Sequence, residues 1–293
     1  MLNVIKIMKK RIVSICLLLC VFLNVKAQGV YDDFIYNRQA VKERKVVAWP
    51  YLREADVNSS KRVIRIIDVR EKQNQVMSWP KNPLSVIVYN AVIEGKLVPY
   101  RNDSLSSSMT MEDILKFTVD TTIVENPDPN DPEQTVQDTV YGKFYPMERI
   151  KKFRVVEDWI FDKKLSTYFV RIISIAPQFV PKIGGVELNE MDLCVLKYHA
   201  RDPDPTNPTA EMDLRHLFIN YEVFNRQNDA ARLTFDDWFE ARMFSSYIIK
   251  QSNEQDMFIR ERAEFKDNGV AAILEGEKMK QDLFEKEHDM WEY

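Results

Sequence analysis

The sequence predicts an α+β protein, built as two tandem units with an N-terminal arm before them and a C-terminal helical region after. Three observations carry this reading. Two β-branched runs, Val63-Ile64-Arg65-Ile66-Ile67 and Phe169-Val170-Arg171-Ile172-Ile173, have the composition and polar borders of strands. Each is followed by an apolar stretch of helical length. Each is then followed by a helix start of the capping-box kind, at Thr110-Met111-Glu112-Asp113 and at Thr234-Phe235-Asp236-Asp237.

Near its start the chain carries Met8-Lys9-Lys10-Arg11 and an apolar run of about a dozen residues, too short to span a bilayer, which takes about 20. Val25-Lys26-Ala27 closes it. Residues 1–27 read as a secretory signal peptide cleaved between Ala27 and Gln28, with Met8 as an alternative start. Lipid attachment at Cys20 is disfavoured, because Leu19 precedes it where a small residue is required. Removing this segment takes away Lys6, Lys9, Lys10, Arg11 and Lys26 and no acidic residue, so the remainder carries an excess of nine acidic groups. An acidic exported chain is not built to coat nucleic acid or anionic lipid. Cys194 is then the one cysteine left, which excludes an internal disulfide.

Residues 28–47 form the arm, with Tyr31, Phe34, Ile35 and Tyr36 as apolar anchors. The first unit, 48–120, holds Trp49, the strand at 62–68 and a helix from Asn82-Pro83 to Ile93. Gly95 stands just past that helix, where a left-handed residue ends it. A loop at Tyr100-Arg101-Asn102-Asp103 and the Thr110 helix follow. Residues 121–149 centre on Val124-Glu-Asn-Pro-Asp-Pro-Asn-Asp-Pro-Glu133, which cannot continue a helix or a central strand. Its Thr- and Val-rich flanks suit a hairpin with an acidic tip; a linker is the other reading.

The second unit, 150–250, repeats the landmarks in order: Trp159, the strand at 169–173, the helix at 214–220, the Asn225 to Asp229 loop and Thr234. A tandem duplication explains this, as does chance recurrence of a common cap. From Thr234 the pattern reads as helix into Tyr247-Ile248-Ile249. The last region, 251–293, ends in a charged helix from Val270, with Ile273, Leu274, Leu283, Phe284 and Trp291 as its apolar side.

Catalytic chemistry is hard to place. His199, His216 and His288 sit in no nucleophile–base signature. Cys194 lies in an apolar run and reads as a buried small residue. No glycine-rich phosphate loop exists, and the Cys and His inventory cannot supply a zinc site. The Asp128 to Glu133 loop lacks the ligand order and glycine of a calcium loop. No catalytic, cofactor-binding or metal-binding residue is expected, and no transmembrane span. Arg65 and Arg171 share strand faces with apolar neighbours, so each needs a carboxylate or carbonyl partner, or must reach solvent.

Several segments are similar to the gliding-motility protein N family (GldN/PorN): Glu157-Asp158-Trp159-Ile160-Phe161-Asp162-Lys163, Val170-Arg171-Ile172-Ile173-Ser174-Ile175-Ala176-Pro177, Phe244-Ser245-Ser246-Tyr247-Ile248 and Glu287-His288-Asp289-Met290-Trp291-Glu292-Tyr293. Trp159, Asp162, Arg171, Trp49 and Arg65 are the motif and structural residues of this reading. The resemblance implies a non-enzymatic periplasmic component of the type IX secretion system, peripheral to the inner face of the outer membrane. It implies a ring made by self-association with a GldK/PorK-type lipoprotein, and engagement of a GldM/PorM-type motor domain. On that implication the two ends are expected to carry partner contacts through Tyr31, Phe34, Ile35, Tyr36, Leu283, Phe284, Trp291 and Tyr293. The rival expectation is that both ends fold back on their own chain. A periplasmic enzyme acting on envelope polymers and a peptide-binding module are the alternative functions.

Overall fold

The structure, a computed structural model, describes residues 44–118, 120–127, 135–183, 186–199, 212–228 and 230–289. Ala27, Gln28, Tyr31, Phe34, Ile35, Tyr36, Trp291 and Tyr293 lie outside these residues, as do the tip at 128–134 and the loop at 200–211. An extended segment from Arg44 leads into β1 (Val57–Asp68). Then follow α1 (Leu84–Ile93), β2 (Pro99–Tyr100) and α2 (Met111–Thr118). The hairpin β3 (Asp120–Pro127) and β4 (Thr135–Gly142) precedes a single turn, α3 (Pro146–Arg149).

The long strands β5 (Ile150–Asp162) and β6 (Thr167–Phe179) come next, then β7 (Lys182–Ile183), β8 (Val186–Glu187), β9 (Met191–Asp192) and β10 (Val195–Lys197). The chain ends with α4 (Leu214–Phe218), β11 (Glu222–Val223), β12 (Leu233–Thr234), α5 (Phe235–Glu240), β13 (Tyr247–Gln251) and α6 (Gly269–Asp289).

The main sheet runs β13-β1-β5-β6-β10-β2, with β9 also paired to β6. All its pairs are antiparallel. β1 comes from the stretch read as the first unit, and β5, β6, β10 and β13 from the second. The two stretches therefore share one sheet, and the residues from Arg44 onward cluster as one unit. A second sheet, β4-β3-β7-β8, is built around the 120–142 hairpin, in which Asp120 pairs with Gly142 and Pro127 with Thr135.

One face of the main sheet carries the large core. Ile67 lies opposite Phe153, and Val155 opposite Ile175, so these four share a face. They pack with α1, α4 and α5 through Leu84, Val88, Leu217, Phe218, Phe235 and Phe239, all at most 3% exposed. Each such side chain contributes about 1.5–3 kcal/mol. A smaller cluster joins Val63, Trp159, Ile248 and Ile259 to Ala272, Met279 and Leu283 of α6.

Local signals account for several boundaries. Gly95 takes φ 71° just past α1, and Lys96 N–H returns to the Ala91 carbonyl at 2.9 Å. Thr110 and Thr234 cap α2 and α5 alike: each hydroxyl accepts the N–H of Asp113 or Asp237, whose carboxylate accepts the threonine N–H. Asp162 accepts the N–H groups of Lys164 and Leu165 and so closes the β5–β6 hairpin.

Two expectations need correction. The helix expected from Thr234 into Ile249 stops at Glu240, and Tyr247–Gln251 is a strand paired to β1. Arg242 takes φ 53° and ends the helix; Met243 N–H reaches back to the Trp238 carbonyl at 3.0 Å. The inward face of α6 also differs. Ala272, Met279 and Leu283 are buried, whereas Ile273, Leu274 and Phe284 are about half exposed or more. Leu283, expected at a partner surface, packs inside its own chain. Gly276 lies on the same stripe, and a Cβ there would sit 2.5 Å from the Ile248 carbonyl oxygen, so α6 rests directly on the β13 backbone.

Candidate functional site

Among the described residues, one of the most heavily constrained charges is Glu157, whose side chain is fully buried. A bulge in the β5–β6 ladder positions it: Val156 pairs with Ser174 but Glu157 pairs with Ile172, leaving Ile173 as the extra residue. Arg65 Nε lies 2.6 Å from Glu157 Oε1. Arg242 forks onto both carboxylate oxygens at 2.8 and 3.1 Å, and the Trp159 indole N–H donates at 2.9 Å. Arg65 also donates to the Ser246 hydroxyl at 3.1 Å. Burial pushes Arg65 down to about 10, against the charge of Glu157, so it stays a cation at neutral pH. With both oxygens engaged and its side chain fully buried, Glu157 is out of reach of a substrate proton. The cluster ties β1, β5 and the α5–β13 connection together.

A second cluster has the same parts. The Trp49 indole N–H donates to Glu240 at 2.9 Å, and the guanidinium carbons of Arg171 and Arg215 each lie 5.4 Å from its ring centroid. Trp159 likewise has Arg65 at 5.9 Å and Arg242 at 5.5 Å. Arg215, almost fully buried, pairs with Asp236 at 2.9 and 3.2 Å. Burial works against its charge, but Asp236 outweighs it and the pKa is raised. Burial lowers that of Arg171, which donates to the Pro50 carbonyl at 2.6 Å. With Arg44 on Asp237 at 2.7 Å, these contacts strap residues 44–50 across α5.

One open feature among the described residues is a cavity of about 500 Å³ on the side of the sheet that carries Ile66 and Arg154. Tyr247, Ile248, Met191, Ala272 and Ile273 supply apolar walls. Arg154 lines it, held by Asp103 at two 2.8 Å bonds and by Asp192 at 2.7 Å. Burial opposes its charge, but the two aspartates hold its pKa above the ordinary arginine value. Lys152 pairs with Glu190 at 2.6 Å on the rim.

The residues singled out in the sequence thus divide. Trp159 with Arg65, and Trp49 with Arg171, meet in the two arginine–tryptophan clusters, and Asp162 builds a turn. Phe284 is half exposed, its ring edge-on to Trp159 at 6.3 Å. Sequence reasoning missed Glu157, Arg242, Arg215 and Asp236 as charge partners, although Glu157 stands inside the quoted motif. Among the described residues no group of His, Cys, Asp or Glu is arranged to hold a metal ion. No helix among them is long and apolar enough to cross a membrane. His216 sits 2.6 Å from Asp213, the N-cap of its own helix.

Compared with known families, residues 52–292 match gliding motility associated protein GldN. No curated protein matches the chain.

Proposed function

Because the chain belongs to the GldN family and is thereby a component of the gliding-motility and type IX secretion apparatus, we propose that it is a structural subunit of a periplasmic ring. In this reading it is exported by its signal segment and lies beneath the outer membrane. It associates with copies of itself and with a GldK/PorK-type lipoprotein, and it engages a GldM/PorM-type motor domain.

The family match along 52–292 carries the reading. Two features favour a scaffold over a reactive centre. The buried charges Glu157, Arg65, Arg215 and Asp236 are spent on one another, which fixes geometry. The surface presents apolar side chains that the fold does not use, among them Tyr51 at 92% exposure, Val47 at 75% and Leu274 at 64%.

The test is gentle extraction of envelopes, affinity capture of the tagged chain, sizing and imaging. The expected result is a particle of many copies containing the lipoprotein, with a mature N-terminus at Gln28. A monomer or small oligomer without the lipoprotein overturns the ring. An N-terminus retaining a lipid-modified Cys20 overturns the soluble periplasmic form.

A further inference from the structure

We infer that the cavity beside α6 receives the C-terminal segment Met290-Trp291-Glu292-Tyr293 of a second copy of this chain. The inference rests on the self-association proposed above and names the contact that would make it directional.

The cavity lies within the range of sites that enclose a drug-sized group, so it takes a tryptophan with part of a neighbouring side chain. Part of its wall is apolar, from Ile66, Tyr247, Ile248 and Ala272, with Ile273 and Met191 partly exposed, and the rest is polar or charged. Two of its cations are already neutralised, Arg154 by Asp103 and Asp192 and Lys152 by Glu190, and a further carboxylate in the lining, Glu261, accepts the Phe258 N–H at 2.8 Å. Arg260, exposed on the same wall, makes no ion pair among the described residues. The segment offers two large aromatic side chains on either side of the Glu292 carboxylate. Trp291 suits the apolar interior, and Glu292 suits Arg260 at the rim.

Chain length decides which copy delivers the segment. Ile273 lines the cavity, and α6 then carries the chain away from it to Asp289. At 1.5 Å per residue that is about 24 Å. The two residues from Asp289 to Trp291 recover at most about 7 Å. A chain therefore cannot place its own Trp291 in its own cavity, whereas a neighbour can. The contact joins the end of one subunit to the side of the next. Such a heterologous contact generates a closed ring or an open filament, according to the rotation between subunits.

The experiment co-expresses two differently tagged full-length chains in the native envelope, one carrying Met191→Cys and the other Met290→Cys, followed by mild oxidation. The native Cys194 does not interfere, being buried with its thiol pushed up to about 12. The expected product is a mixed disulfide dimer bearing both tags. It should be absent when Lys61→Cys replaces Met191→Cys, and at least tenfold weaker when Trp291→Ala is added to the tail variant. Each variant is first shown to keep the melting temperature of the unsubstituted chain. If the unsubstituted chain forms the large particle and no mixed dimer appears, the docking is wrong and the ring stands. The docking is equally wrong if Trp291→Ala leaves the cross-link intact, or if a Tyr31→Cys arm cross-links to Met191→Cys instead. If the unsubstituted chain forms no large particle, the assembly reading fails and this inference falls with it.

Discussion

Glu157→Gln removes one charge and almost no volume from the centre of the β1–β5–β6 sheet. The glutamine carbonyl still accepts the Trp159 N–H, so the variant isolates the charge. Arg65, with 6% of its side chain exposed, is left facing a neutral amide, and Arg242 loses its fork. Breaking a buried pair from one side costs about 3–5 kcal/mol. At about 2–4 °C per kcal/mol for a folded unit of this size, the melting temperature should fall by about 10 °C. Urea unfolding followed by tryptophan fluorescence gives the free energy directly, and Trp159 reports from within the cluster. The companion variant Arg65→Met in the Glu157→Gln background should lose less than the two single losses added together, because the fully desolvated orphan cation is gone and the remaining one, Arg242, is about a quarter exposed to water. A loss below about 1 kcal/mol for Glu157→Gln, or simple additivity in the pair, would refute the claim that this carboxylate organises the sheet.

Two further outcomes follow from packing. Gly276→Ala improves intrinsic helix propensity by about 1 kcal/mol, yet it should destabilise the protein, because the added methyl meets the Ile248 carbonyl oxygen at 2.5 Å. Limited proteolysis should then release α6 earlier, and an unchanged or raised melting temperature defeats the argument. Cys194 should resist alkylation until the protein unfolds. Its folded pKa is raised, so the unfolded state loses its thiol proton first as pH climbs. This group therefore subtracts stability from about pH 9 upward until its folded pKa, near 12, is reached. Denaturant midpoints of the native chain and of Cys194→Ala should converge on alkaline titration; parallel curves contradict the assignment.

The sequence reveals the strands at 62–68 and 169–173 because β-branched runs are uncommon outside sheets. It reveals α1 and both threonine caps because their stop and start residues are local. β5 escapes because Arg154, Glu157 and Asp158 interrupt it, and a buried charge is indistinguishable from a solvated one until its partner is known. That partner is remote: Glu157 meets Arg65 and Arg242 from distant parts of the chain. β13 escapes because the preceding helix ends on Arg242 at positive φ, where glycine is the usual signal. The inward face of α6 is misassigned because size is a poor guide when close approach selects Ala272 and Gly276. The direction of assembly inferred above is not local at all; it rests on where a cavity lies relative to the end of a helix.

The pairing of Val63 with both Glu157 and Gln251 bears on timing. β1 emerges early, yet neither of its neighbours in the sheet exists until much more chain has been made, and the outer one comes near the end. Loop closure on this scale is slow and uphill until the last contacts form. A nascent chain of this kind stays open through most of its synthesis. For the exported protein proposed above that delay is useful: an open chain can be threaded through a narrow channel, and closure waits until its final strand arrives on the far side.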